Sequence, residues 1–503
     1  MLSNKSKVEL FTLFFWGLSL ISATAVNAEL LEEDWLRIES NHFTVYSALD
    51  EKKSREIVFN LEAFRRAALA LTNIHQAKPR VPTKIYLVKK SHLSELDISR
   101  NIAGYIRPGV DKNTIFVSHS PRFDGSTVIY HEYVHFLLRN HSQQRYPRWY
   151  DEGFAEYLAS VKTTDKHFQV GQIAEHRLSS LQYGDWLNVR SVINPIKMDQ
   201  WSDEKYSQFY ANAWLLVHFL NNHPDFKGRL SESLSKYFQL KNQGVDNVEA
   251  FENAFSIKVS RLNARLKSYF RRGRAKATQY DKAILLNGIS VNIHSMPKTE
   301  AALVLSEFAV ASKKELARKW LEEAGKNPDQ LVKVNLLEKE LSIGRNRKDS
   351  EKLSEYLVDD FSEELSDFED LIQQAGNIVD YLQATRSRDP DMISLARAYL
   401  LKAWKQDKES PAVYFYYGKL YLIEGRDSAK AIDMLAEAEY FLPANLQIRL
   451  NFARALAWAG KNSEAYAKAE SVANWTHEGS GNHKYAKRLM KKISSSQDSD
   501  KKQ

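Results

Sequence analysis

Ala431, Leu435 and Ala438 return 34 residues later as Ala465, Ala469 and Val472, with Gly418 and Tyr421 ahead of the first set, Pro443 after it and Gly460 ahead of the second. Small residues recurring at helical spacing and at a fixed long period call for paired helices that pack closely and stack on the next pair. An earlier hairpin at 301–328 carries Ala317, Leu321, Ala324 and Pro328 at nearly the same offsets. Residues 301–493 therefore read as helix throughout, least regular between 330 and 390, with a non-repetitive helical bundle as the alternative. The Ser-rich, charged segment 494–503 reads as a disordered tail.

Upstream the rhythm differs. Residues 35–47, with Trp35, Ile38, Phe43, Val45 and Tyr46 around the turn signal Ser40-Asn41, predict a β-hairpin. Over 51–75, Ile57, Leu61, Phe64, Ala68 and Leu71 repeat at three and four residues and predict an amphipathic helix. A strand follows at 83–88. After the Pro108-Gly109 turn, Thr114–Val117 forms a short β run just before a helix at 126–139. From 205 to 273 the pattern is almost wholly helical and closes in the basic run Arg271–Arg274. Residues 274–300, with a β-like Ile289–Ile293 piece and Pro297, read as a linker. At 503 residues the chain is too long for one hydrophobic core, so two folded parts are expected, at 29–273 and 301–493.

The first 28 residues look like a bacterial secretory signal. Lys5 and Lys7 precede an apolar run from Leu10 to Val26, and Val26-Asn27-Ala28 offers a cleavage site. The expected product is periplasmic or secreted. An uncleaved N-terminal anchor is the alternative, since 17 apolar or small residues lie at the short limit of a membrane span. No later segment reads as membrane-spanning. The charge balance, 71 Lys+Arg against 63 Asp+Glu, is spread thinly and has no block suited to a nucleic-acid backbone. Cysteine is absent, so disulfides, thiolate nucleophiles and Cys-ligated zinc are all excluded. Any metal must sit on His, Asp or Glu.

His131-Glu132-Tyr133-Val134-His135 supplies such a site. Two His at i and i+4 project from one helix face a turn apart, the separation two ligands of one Zn2+ ion need. Glu132 falls beside them, where a carboxylate can accept a water's proton and pass it to a leaving amine. Twelve residues beyond His135 begins Pro147-Arg148-Trp149-Tyr150-Asp151-Glu152-Gly153-Phe154-Ala155-Glu156-Tyr157. Glu152 can supply a third ligand from a second helix, leaving a fourth position for water. Asp151 is the weaker contender for that place. Glu156, one turn on, can accept from the outer nitrogen of His131 or His135, or else pair with Arg148 on a helix surface. His119, His141 and His167 lack a helical partner and read as surface or supporting residues.

These motifs resemble the gluzincin metallopeptidases, and among them bacterial peptidase-MA-like proteins that carry tetratricopeptide repeats, over about 35–273. The resemblance implies an α+β thermolysin-like zincin domain, a mixed sheet plus helical subdomain, followed by an all-α tetratricopeptide-like repeat domain. It implies His131, His135 and Glu152 as zinc ligands and Glu132 as base. It also extends to Tyr210-Ala211-Asn212-Ala213-Trp214, where related aminopeptidases open a helix with an oxyanion-stabilising Tyr, which makes Tyr210 the candidate and Tyr206 the fallback. The Gly-x-Met-Glu-Asn strand of those aminopeptidases, whose Glu grips the substrate's amino terminus, is replaced here by Asn113-Thr114-Ile115-Phe116-Val117. A neutral edge strand there would align an extended peptide by β-augmentation without a counter-ion for an α-amine. The expectation is an exported zinc endopeptidase acting on a peptide or protein, with a protein partner on the helical repeats. The alternative is a non-catalytic envelope scaffold whose zinc site is structural or silent.

Overall fold

Alternation sets the first hairpin. In β1 (Leu36–Ser40) Leu36 and Ile38 turn inward, while Arg37 and Glu39 pair with each other at 2.6 Å. The chain reverses where the Ser40 N–H bonds the Phe43 carbonyl at 2.9 Å and returns as β2 (Thr44–Ser47). α1 (Glu51–Thr72) buries the expected stripe of Ile57, Leu61, Phe64 and Ala68. The computed structural model describes residues 29–72, 74, 80–99, 102–120, 125–141, 146–196, 198–226, 228–273, 277–343, 365–476 and 480–500. The signal segment 1–28 lies outside them, and no helix among the described residues is long and apolar enough to cross a membrane.

β3 (Thr83–Lys89), β4 (Gly104–Pro108), β5 (Asn113–His119) and, from far along the chain, β9 (Val291–Ser295) extend the hairpin into a mixed six-stranded sheet ordered β4-β5-β3-β2-β1-β9, in which β2, β3 and β5 run parallel. β3 and β5 are buried over their first six residues, as parallel strands covered on both faces must be. One face carries Ile38, Val45, Ile85, Leu87, Ile115 and Val117 into a core shared with α1 and α2 (Ser126–His141). The other carries Tyr46, Tyr86, Tyr105 and Phe116 against the helices Lys298–Ala309 and Lys314–Ala324, with the Phe308 ring 4.8 Å from Tyr86 and 5.5 Å from Phe116.

β5 is therefore an interior strand, paired to β3 on one side and β4 on the other. The expectation that Asn113–Val117 offers an edge for an incoming peptide is corrected: the edge strand next to it is β4, which the sequence reading passed over. Gly104-Tyr105-Ile106-Arg107-Pro108 is short and bounded by turns, too brief for a periodic signal.

After α2 come α3 (Arg148–Ala159), a three-stranded antiparallel sheet of β6 (Val161–Thr163), β7 (His167–Val170) and β8 (Thr278–Asp281), then α4 (Glu175–Tyr183), the short α5 (Val189–Ile193) and α6 (Asp203–Asn222). Part of the segment read as a linker is thus built into both sheets. β8 pairs with β7, and β9 (Val291–Ser295) pairs antiparallel with β1 from Leu36↔Ser295 to Ser40↔Val291. The partners lie more than a hundred and about 250 residues away, so no local pattern announces them.

Beyond β9 the described chain is all helix, and Gly481–Asp500 runs as helix into the segment expected to be a disordered tail. Ala431, Leu435, Ala438, Ala465, Ala469 and Val472 are each fully buried. A Cβ added at Gly418 would lie 2.5 Å from Leu435 Cγ, so the helices Pro411–Glu424 and Ser428–Phe441 approach too closely there for a larger residue. Lys84 Nζ lies 3.1 Å from Glu307 and 3.2 Å from Glu369, and Lys112 Nζ lies 2.6 Å from Glu307, binding the sheet to the C-terminal helices.

Candidate metal centre

β5 feeds α2 through Gly125, which sits at φ +80°, where a Cβ would strike the Val117 side chain. Only glycine turns the chain there without strain. α2 leaves that turn with one face toward α3 and buries His131 to 2%, Glu132 to 0% and His135 to 1% exposure. α3 enters after Pro147 and presents Glu152 and Glu156, each 1% exposed. It meets α6 at Gly153, which lies against the backbone of Ala213.

His131 Nε2 and His135 Nε2 stand 3.0 Å apart, and Glu152 Oε2 lies 3.2 Å from the second and 3.4 Å from the first. Three donors of a tetrahedral zinc ion, at roughly 2.0–2.1 Å from it, stand about 3.3–3.4 Å from one another. The triangle therefore has the size a zinc ion requires, and two imidazoles with one carboxylate make a donor set that zinc accepts while leaving a fourth position open. These three residues form the group suited to a metal ion among the described residues.

Each outer nitrogen faces a carboxylate, at hydrogen-bond distance for His135 and at the longer ion-pair distance for His131. His135 Nδ1 lies 3.1 Å from Asp151 Oδ1, and His131 Nδ1 lies 3.4 Å from Glu156 Oε1. A carboxylate at Nδ1 keeps the proton there and turns the Nε2 lone pair toward the metal position. Asp151, weighed above as a lesser third ligand, instead orients His135. Glu156 is a buried carboxylate rather than a surface one, and Arg177 of α4 forks onto it, Nε to Oε2 at 3.1 Å and Nη2 to Oε1 at 2.6 Å.

Burial works against a charged His131, yet its close contacts with Glu152 and Glu156 and the fields of Glu156 and Glu132 raise its pKa from 6.5 to about 10. Burial likewise works to raise the Glu152 carboxyl, but His135 and His131 hold it well below the ordinary carboxylate range. The imidazoles and the carboxylates therefore stabilise each other's charge where the three donor atoms meet.

Tyr210 on α6 sets its ring edge-on to His131 at 6.4 Å between centroids, and burial, reinforced by Glu152, raises its phenol above the ordinary value. It stays a neutral O–H donor. Tyr206, one turn earlier, gives its hydroxyl to the Met198 carbonyl at 2.6 Å and its ring to Trp201, so it is committed elsewhere. His167 is exposed beside Gln279, and His119 ends β5 half-buried; the side chain of His141 lies outside the described residues. Sequence reasoning missed Arg177: it lies 21 residues beyond its partner on a short helix with no apolar stripe, and nothing local distinguishes it from a surface arginine.

Residues 125–241 match a family model described as a protein of unknown function (DUF1570). The match spans all of His131, Glu132, His135, Asp151, Glu152, Glu156, Arg177 and Tyr210. No curated protein and no solved structure matches the chain.

Proposed function

We propose that this chain is an exported zinc metallopeptidase of gluzincin type that cleaves peptide bonds within a chain, with tetratricopeptide-like helices after its zincin domain. The observation that carries the reading is the triangle of His131, His135 and Glu152, each histidine backed by its own carboxylate, with the buried Glu132 beside the pair. A structural site has no use for that last carboxylate. Bound by the three donors, zinc would supply a Lewis acid that acidifies water and polarises a carbonyl. Glu132 accepts the proton of the attacking water and returns it to the leaving amine. Tyr210 donates its hydroxyl hydrogen to the oxygen that gains negative charge. Asp151 and Glu156 hold the two imidazoles in the ligating tautomer.

Cleavage within a chain is supported by the composition of the terminal strand: Gly104–Pro108 carries no carboxylate to hold an α-amine. The signal-like segment 1–28 supports a periplasmic or secreted location. Tyr440 and Trp458, exposed on the helical region, are residue types that protein interfaces favour and support a protein partner there. A second reading, a scaffold with a silent zinc site, is favoured by one observation: His131, Glu132, His135, Glu152, Glu156 and Tyr210 are each at most 7% exposed.

Two variants separate these readings. Metal analysis of the purified protein should give one zinc per chain, lost in His135→Ala. Glu132→Gln should keep the zinc and cut hydrolysis of a quenched-peptide library by about 100-fold or more. Full complementation by zinc-loaded Glu132→Gln in cells would overturn the peptidase reading and leave the scaffold.

A further inference from the structure

Arg177 is buried to 2% exposure, and its guanidinium is engaged on two sides. Its fork takes both oxygens of Glu156, at 3.1 and 2.6 Å, and its Cζ lies 5.1 Å over the centroid of the Tyr210 ring. Glu156 in turn faces His131 Nδ1 at 3.4 Å, and the Tyr210 ring stands edge-on to His131. Arg177, Glu156, His131 and Tyr210 thus close a circuit around one metal donor. Lysine cannot reproduce it, because only a planar guanidinium both bridges a carboxylate bidentately and lies flat on an aromatic face.

We infer that Arg177 is a positioning residue of the candidate metal centre, fixing the aim of His131 Nε2 through Glu156; the inference rests on the metal-site reading above. A carboxylate buried to 1%, one helical turn from the equally buried Glu152, has strong reason to swing away from that like-charged neighbour. Arg177 removes that reason. It neutralises Glu156 and pins both its oxygens, so the carboxylate can turn only one way toward the imidazole. Without the arginine, Glu156 is a buried charge without its counter-ion, and its hold on the His131 ring goes with it.

The test measures zinc affinity by competition with a chromophoric chelator on folded, monomeric wild type, Arg177→Lys, Arg177→Met, Glu156→Gln and the double variant Glu156→Gln/Arg177→Met, with His131→Ala as reference. Loss of an orienting partner typically weakens metal binding by about 10–100-fold, so Arg177→Met should fall in that range, with Arg177→Lys between it and wild type. The double variant should bind within about threefold of Glu156→Gln alone, because an arginine that acts through Glu156 has nothing to add once Glu156 is changed. Where Arg177→Met fails to fold, Arg177→Lys carries the decision: wild-type zinc affinity there overturns the inference. Wild-type zinc affinity in folded Arg177→Met, or a double variant whose loss is the product of the two single losses, would overturn the inference. An arginine that merely stabilises the fold predicts lower melting temperatures with unchanged affinity. Wild type that takes up no zinc, or His131→Ala that binds as wild type does, would bring down the metal-site reading itself, and this inference with it.

Discussion

Replacing Gly153 by alanine tests how closely the ligand-bearing helix must lie on its neighbour. A Cβ built at Gly153 lies against the Ala213 carbonyl oxygen of α6, 2.7 Å from that carbonyl's carbon and 2.8 Å from Val217 Cγ2. Carbon atoms in contact stand about 3.5–4.0 Å apart, so α3 and α6 must separate by roughly 0.8 Å. The obstacle is backbone, and no change of rotamer moves it. Alanine recovers about 1 kcal/mol of helix propensity, but overpacking costs about 1–3 kcal/mol. With a rigid obstacle the upper end applies, leaving a net loss of about 1–2 kcal/mol. The metal centre should suffer more, because Glu152 precedes the substituted residue and ligand distances tolerate only about 0.2 Å of error. Zinc affinity should fall at least about 10-fold. Calorimetry and chelator competition measure both effects. Gly325→Ala is the control: at φ −65° its Cβ would meet only the Leu321 carbonyl oxygen at 3.3 Å and more distant atoms, so it should be neutral or stabilising with zinc binding unchanged. Gly153→Ala with wild-type melting temperature and zinc affinity would refute the argument.

Three further outcomes follow from other parts of the molecule. Burial works to raise the Glu307 carboxyl, but Lys112 and Lys84 bring it down from 4.5 to about 2, a difference worth about 3 kcal/mol. Because the folded value is the lower one, this stabilisation is complete above about pH 4.5 and is lost as pH falls through about 2; Glu307→Gln should flatten that acid limb in urea titrations at pH 7 and pH 3, and an unchanged limb counts against the ion cluster. Tyr210→Phe should lower turnover about 100-fold with little change in KM or melting temperature, whereas a tyrosine that only packs would lose stability and keep its turnover. The fragment 29–297, lacking the helices over Tyr86 and Phe116, should aggregate or stay unfolded on size exclusion; a folded monomer would mean that the outer sheet face needs no cover.

Local pattern revealed what is local. The His131–His135 pair and the stripe of α1 come from spacing along a single helix, and the structure places them as read. Glu152 and Tyr210 were reachable through a family resemblance, since each lies on a different helix and only the fold brings it to the histidines. Asp151 was visible but was read as a lesser ligand, because sequence gives no means of telling which nitrogen of His135 it meets. β4, β6, β8 and Arg177 were not legible at all. β8 and Arg177 owe their places to partners distant in sequence, whereas β4 and β6 pair with the strand that follows them, but strands of three to five residues carry too few alternations to stand out from turns.

The boundary near 275 misled for a related reason, and its correction bears on the site. β5 sends Ile115 and Val117 toward α2 and Phe116 the opposite way, under Phe308. The chain after this strand enters, at Gly125, the helix that carries His131 and His135. A cover of helices on the outer face of β5 is therefore separated from the metal donors by one strand and one turn. The hairpin read at 301–328 from its small residues as an early stacking pair instead covers, through Lys298–Ala309 and Lys314–Ala324, the face of the sheet opposite the one on which α2 rests. Among the described C-terminal helices, those from Phe368 onward lie beyond the cluster over Tyr86 and Phe116, and even these are tied to the sheet through the Lys84–Glu369 pair and the bond from Asn445 Nδ2 to the Gly109 carbonyl at 3.2 Å. A helical region held this way cannot swing freely to deliver a substrate. If it recruits a partner, it does so from a fixed position relative to His131, His135 and Glu152, so the distance from its surface to the metal centre limits which bonds of a bound chain can reach Glu132.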